Sequence, residues 1–269
     1  MIISGATEHR ILHFTFDDGP DLQITPLFLE KLDKAGIKAT FFFSGSRFRA
    51  GRLYNAKAAE LAREVLKRGH SVGIHSVDHQ RMFRMSPKEI ERQLDLSEQL
   101  FIKVFGSRTW LFRPPWGSHS AVADRLLAAR GYTVVLWNLC VADWVTRPVN
   151  QMLRTWRQVL AKVEQTKGQR GGVVLLHDTH PWTLEAFDLV YGDIMDRNCR
   201  LLDSGQELYD IVDDLGPFYA PRAGAGPSQR APAAAPDLAV MEARQARLRE
   251  KTAARCRTTS ETLSSAASR

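Results

Sequence analysis

Ile11-Leu12-His13-Phe14-Thr15-Phe16-Asp17-Asp18-Gly19-Pro20 is the stretch on which the fold turns. Its first six residues are apolar and aromatic-rich, and a Gly-Pro turn signal follows, so they read as a buried strand. The two carboxylates at its end form an unfavourable pair. Like charges side by side repel, and burial raises the cost. A metal ion, an arginine or both would relieve it. The chain offers candidates further on: His75-Ser76-Val77-Asp78-His79, Arg113-Pro114-Pro115-Trp116-Gly117, Asp143-Trp144 and Leu175-Leu176-His177-Asp178.

Outward from this stretch, strand-like and helix-like segments alternate to about residue 215. Residues 38–43, 70–74, 110–112, 133–137, 172–176 and 200–202 read as further strands. Helices are expected over 26–35, 57–68, 87–105, 121–129, 150–164 and 183–196. Ser86-Pro87-Lys88-Glu89 supplies an N-cap, a proline in the first turn and an early acid. Ser204-Gly205-Gln206-Glu207 reads as a capping box opening a last helix to about Leu215. Such alternation implies a parallel sheet with crossover helices. Roughly seven βα units fit an α/β fold, a distorted (β/α) barrel of about seven parallel strands with outer helices. An open doubly wound sheet is the second choice, weakened by the lack of a Gly-rich phosphate loop after the first strand.

Composition bounds the rest. The 269 residues are 44% apolar, enough for a sizeable core. No apolar run approaches the length of a membrane span, so no integral membrane segment is expected. Met1–His9 lacks a basic leader with an apolar core, so no signal peptide is expected. The net charge of +7 is uneven: residues 221–269 carry nine Arg or Lys against four Asp or Glu. The remaining body has no clustered basic face, and a nucleic-acid partner is not expected. Two units follow: a domain over 10–218 and a basic, low-complexity tail over 219–269 expected to be disordered, with a short charged helix possible over 237–254. That tail could touch an anionic surface, although an idle, solvated tail is the preferred reading. Cys140, Cys199 and Cys256 are scattered and read as small buried hydrophobes rather than redox groups.

Six polar groups follow five of the expected strands: Asp17 and Asp18, His75, Arg113, Asp143 and His177. In a parallel barrel all of these strand ends point to one face, where sites form. His75 and His79, four apart, could share a metal with Asp18 and leave a position open for water. Two imidazoles and one carboxylate suit zinc, and iron(II) uses a similar set. Asp17 is then free to take a proton from water, with Arg113 holding it. Asp143 could hold His177 and keep it protonated. Asp178 reads as structural support and His180 as a bystander. Trp116, Trp144 and Trp182 could stack on sugar rings or serve the core.

In order, these segments resemble the five motifs of the polysaccharide deacetylases, carbohydrate esterase family four or the NodB homology domain. The resemblance spans about residues 10–215, with Trp116 where many members have tyrosine and an unusual flank before Asp143. It implies hydrolysis of N-acetyl groups on an acetylated polysaccharide or oligosaccharide (peptidoglycan, chitin-like or exopolysaccharide), with release of acetate. It implies one divalent metal ion, zinc first, on Asp18, His75 and His79. Asp17 would be the base, oriented by Arg113, and His177 the acid, tuned by Asp143. Trp116, Pro115 and Trp144 would line the substrate and oxyanion side. The family's members mostly act outside the cytoplasm, on walls or exopolysaccharide, in tension with the expectation of no signal peptide unless a leader lies outside this sequence. O-acetyl ester hydrolysis, amide hydrolysis outside carbohydrates and non-catalytic glycan binding are the alternatives.

Overall fold

The computed structural model of the chain describes residues 1–50, 53–218 and 238–267. Nine strands form one sheet: β1 (Ile2–Ile3), β2 (Ile11–Asp17), β3 (Thr40–Phe43), β4 (Ser71–Ile74), β5 (Leu111–Phe112), β6 (Thr133–Val135), β7 (Leu139–Cys140), β8 (Gly172–His177) and β9 (Asp210–Ile211). Their order is β1-β6-β5-β4-β3-β2-β8-β7, with β9 also paired to β2, and every pairing is parallel. The sheet curls into an unclosed barrel of the expected α/β class. Helices α1 (Thr25–Ala35), α2 (Ala56–Lys67), α3 (Pro87–Phe105), α4 (Ala121–Ala129), α5 (Val149–Gln165), α6 (Pro181–Asp203) and α7 (Leu238–Ala267) complete the chain. No helix among the described residues is long and apolar enough to cross a membrane.

The period of two along β2 explains how a fully buried strand serves two environments. Leu12, Phe14 and Phe16 join the large core between sheet and helices. Phe16 packs on Phe28 and Phe41 at ring separations of 4.8 and 4.9 Å, and Phe14 meets Phe187 edge-on at 5.3 Å. Ile11 belongs to a second cluster inside the barrel, with Ile3, Phe42, Val135 and Val173. Val212, Leu215 and Phe218 seal that cluster from below. Above it lies His13, whose ring nitrogens meet Val212 O at 2.9 Å and Thr40 Oγ1 at 2.8 Å. Burial lowers its pKa to about 4, so it sits neutral in the core. Higher still, the interior turns polar at Thr15 and Asp17. The capping box of Ser86 and Glu89 is formed, and α3 runs over the expected residues.

The C-terminal third departs from expectation. Residues 200–202, read as a strand, are the last turn of α6. Phe187, Val190, Ile194 and Leu201 keep helical spacing, and Asn198 interrupts the apolar stripe because it is committed to the backbone of Tyr209 at 2.7 and 2.9 Å. Ser204 does not open a helix: its hydroxyl donates to Arg200 O and Leu201 O and closes α6 instead. The segment expected to be helical to Leu215 instead extends along β2 as β9.

The tail contains the helix that was expected in it. Residues 219–237 lie outside the described residues, but α7 covers the expected short helix and extends beyond it. With few apolar positions, it is held by specific bonds. Arg244 forks onto Asp210 at 2.6 and 3.0 Å, and Gln245 bonds both backbone groups of Leu208 at 3.0 and 2.9 Å. Cys199 of α6 and Cys256 of α7 form a disulfide rather than two buried thiols. Only Cys140 keeps the expected free thiol, half-buried.

Candidate active site

Five of the parallel strands, β2, β4, β5, β7 and β8, end in or hand over to loops carrying the expected groups. Asp17 is the last residue of β2, and His177 the last of β8, directly paired with it. His75 follows β4, Arg113 follows β5, and Asp143 lies three residues after β7. Five non-glycine residues have left-handed backbone among the described residues: Asp18 (φ 74°), Ser76 (φ 55°), His79 (φ 52°), Trp116 (φ 64°) and Ala142 (φ 59°). All lie in these rim loops, each at a conformational cost of about 1–2 kcal/mol that the surroundings offset. Gly19 is required by close approach: a Cβ there would overlap the Asp178 carboxylate. Asp178, expected as structural support, accepts from Thr25 Oγ1 at 2.5 Å, and burial pushes its pKa up to about 7.

Asp18, His75 and His79 come together, with one donor atom from each lying within 4.8 Å of the others. Asp18 Oδ1 stands 3.5 Å from His75 Nε2 and 3.2 Å from His79 Nε2. These spacings match the roughly 3.4 Å edge of a tetrahedron whose centre lies about 2.1 Å from each donor. Asp18 Oδ1 is buried without a hydrogen-bond partner, an uncompensated acceptor that a cation would satisfy. His75 Nδ1–H donates to Arg113 O at 2.8 Å, which turns the Nε2 lone pair toward Asp18. Burial lowers the pKa of His75 to about 3, leaving it neutral as a ligand must be. The donor set, its orientation and its protonation therefore fit a divalent cation.

Asp17 is 2% exposed, and one of its oxygens is turned to Arg113, which is fully buried. Arg113 Nη1 donates to Asp17 Oδ1 at 2.8 Å and to Thr15 Oγ1 at 2.7 Å, and its Nε donates to Val135 O at 3.0 Å. The guanidinium lies 4.2 Å from the Phe42 ring centroid. A buried ion pair survives only when its remaining donors are satisfied, as they are here. Burial raises the pKa of Asp17, and Arg113 pulls against it. The second oxygen, Oδ2, stands 3.7 Å from His75 Nε2, on the side of the metal cluster.

Across the site, His177 Nδ1–H donates to Asp143 Oδ1 at 2.9 Å. Asp143 Oδ2 accepts from the His177 backbone N–H at 2.8 Å and from Thr183 Oγ1 at 2.9 Å. Burial alone would lower the pKa of His177; the bond and charge of Asp143 win and raise it to about 9. Its Nε2 faces Asp18 Oδ2 at 4.0 Å. Trp144 stands edge-on to His177 at 5.7 Å. Pro115 is buried beneath the rim, and Trp116 is half exposed beside His79 at 5.2 Å. All ten expected site residues thus gather at one rim. Sequence reasoning missed Thr15 and Thr183, whose hydroxyls complete the shells of Arg113 and Asp143. It also missed Arg47, whose Nε donates to Asp18 O at 2.8 Å. A lone threonine or arginine at these positions carries no spacing signal.

The polysaccharide deacetylase family model matches residues 4–135. The chain is 30% identical over 214 residues to the peptidoglycan-N-acetylglucosamine deacetylase PgdA of Listeria monocytogenes, covering 80% of this chain but 42% of that protein. The chain therefore spans less than half of that relative. It is 31% identical to a peptidoglycan-N-acetylglucosamine deacetylase of Bacillus cereus, over 63% of this chain and 73% of that one. The structure of the peptidoglycan deacetylase PdaC from Bacillus subtilis superimposes with a TM-score of 0.57 at 29% identity, covering 70% of this chain and 85% of that one. Sequence, fold and the gathered rim residues agree, and the chain belongs to the polysaccharide deacetylase family.

Proposed function

We propose that this protein is a metal-dependent hydrolase that removes N-acetyl groups from an acetylated amino-sugar polymer and releases acetate. The observation that carries the reading is the division of labour between neighbouring carboxylates: Asp18 Oδ1 faces both imidazoles, whereas Asp17 gives Oδ1 to Arg113 and keeps only Oδ2 near the cluster, 3.7 Å from His75 Nε2. A divalent cation held by Asp18, His75 and His79, zinc first for this donor set, would supply Lewis-acid polarisation of the acetamide carbonyl and activation of water. Asp17 accepts the proton of the attacking water, its geometry fixed by Arg113. His177, kept protonated by Asp143, donates to the departing amine nitrogen. Trp116, with left-handed backbone at the rim, is suited to present its N–H to the developing oxyanion, and Pro115 fixes the turn before it. Relatives whose names state peptidoglycan deacetylation support an amino-sugar substrate.

The catalytic unit runs over 10–218, with the segment from 219 appended to it. The Cys199–Cys256 bond supports work in an oxidising compartment outside the cytoplasm. The test is acetate release from N-acetylated oligosaccharides, acetylated xylan and a simple amide, before and after chelation and with zinc restored. Chelator-sensitive, zinc-restored release from the acetamido sugars is expected. Sugar binding without release would overturn the enzymatic reading, and preference for the xylan ester would overturn the amide reading.

A further inference from the structure

We propose that Arg81 and Arg147 are specificity-determining residues that select an anionic acetamido-sugar polymer, carrying carboxylates on the sugars that flank the reacting one. The inference deepens the deacetylase reading above and rests on it for the location of the reacting sugar.

Two runs of rings flank the candidate site at the rim, and each ends in a cation. On one side, Trp116 lies 5.2 Å from His79, and Arg81 Cζ stands 4.5 Å from the Trp116 ring. On the other, His177 lies 5.7 Å from His180, and His180 stacks on Trp182 at 4.8 Å and 19°. Arg147 Cζ stands 5.2 Å from Trp182. His180 joins the rings of His177 and Trp182 in the second of these runs. Trp116 and Trp144 expose 51% and 39% of their surface here. Exposed aromatic faces in sequence offer stacking surfaces to successive sugars of a polymer.

Charge supplies the selectivity. Arg81 and Arg147 are exposed and form no ion pair among the described residues, whereas Arg47, Arg130 and Arg157 each meet a carboxylate. Their placement over indole rings orients the guanidinium groups without neutralising them. Of the carboxylates deeper in the site, Asp17 is paired with Arg113 and Asp143 with His177, and Asp18 would be neutralised by the cation of the deacetylase reading. A polymer with carboxylates beside its reacting sugar would meet a cation at each end and apolar faces between. A neutral polymer would use the rings alone. The carboxylate could belong to a lactyl ether on the neighbouring amino sugar or to a neighbouring uronic acid, and both present the same fork to arginine.

The test uses three tetrasaccharides: tetra-N-acetylchitotetraose, N-acetylglucosamine alternating with its lactyl-ether form, and N-acetylglucosamine alternating with a uronic acid. Binding is read by fluorescence of the rim tryptophans, and turnover by acetate release. The full chain should favour at least one carboxylate-bearing sugar over the neutral one by about tenfold in Kd at low salt. The ratio should collapse in high salt. R81Q/R147Q should bring it to within about twofold of unity, and R81K/R147K should keep most of it. Whichever carboxylate-bearing sugar binds better identifies the source. A ratio near unity at low salt, or one unmoved in a folded R81Q/R147Q variant, overturns the proposal. Charge preference without acetate release from any sugar would sink the deacetylase reading alone; acetate release without preference would sink this one alone.

Discussion

Asp17 and Asp18 are chemically alike and adjacent along the chain, yet they meet different neighbours, and the proposed reaction gives them different tasks. Arg113 holds one, and two imidazoles face the other. Asp17→Asn removes the proton acceptor without touching the donor set. Metal content should stay at the wild-type level while kcat falls by about 10²–10⁴, measured by acetate release and elemental analysis. His79→Ala removes a ligand and should lower bound metal and activity together. His177 carries a pH signature. Its pKa is raised from 6.5 to about 9 by Asp143, acting against burial. A raised pKa means stability fully present below the unfolded value of about 6.5 and lost as pH rises through about 9. In chelated protein, Asp143→Asn should cost about 2–4 kcal/mol at pH 6 by denaturant melts, because it leaves a buried imidazolium unpaired. The gap to wild type should narrow through pH 9, and a pH-independent gap would refute the charge pairing. The gathering of these residues at one rim was legible in the sequence because each follows an expected strand of a parallel sheet. Thr15 and Thr183 were not, since a hydroxyl that completes another group's shell carries no spacing of its own.

At the scale of elements, the alternating strands and helices up to residue 196 could be read because β2, β3 and β8 are continuous apolar runs and α2, α3 and α4 carry side-chain N-caps at Asn55, Ser86 and Ser120. Reading failed where tertiary bonds override local signals. Asn198 belongs to α6 although it breaks the apolar stripe, because its amide serves Tyr209. Ser204 and Glu207 look like a capping box, yet Ser204 closes α6 and Glu207 Oε1 meets His9 Nδ1 at 3.1 Å. The pairing of Cys199 with Cys256 joins α6 to a helix 57 residues away and has no signature in spacing. It gives α7 a covalent hold that its sparse apolar positions cannot. Paired Cys199→Ser and Cys256→Ser changes should free α7. Hydrogen exchange should then rise across 241–257 and in the 205–211 segment that α7 clamps, while acetate release changes by less than about twofold. Loss of stability should reach about 2–4 kcal/mol where α7 unfolds with the body. Unchanged exchange in both segments would show that Arg244 and Gln245 suffice without the bond.

Across the molecule, one strand links fold to chemistry. β2 pairs with β8, β3 and β9, places phenylalanines against the helices, and ends in Asp17 at the rim. Barrel curvature then brings the loops after β4, β5, β7 and β8 to that same rim. The fold class was legible because alternation of strands and helices leaves few topologies; the unclosed seam between β1 and β7 was not, because it depends on which short strands find partners. Gly19→Ala should probe this coupling. The added Cβ would displace Asp178 and the loop carrying Asp18, costing about 1–3 kcal/mol and weakening metal binding together. The most direct test of the central claim is metal stoichiometry and acetate release measured on the same preparations of wild type and Asp17→Asn. One equivalent of divalent metal in both, with turnover in the wild type alone, is the predicted result. A wild-type protein that releases acetate without bound metal, or an Asp17→Asn variant that keeps most of its kcat, would contradict it.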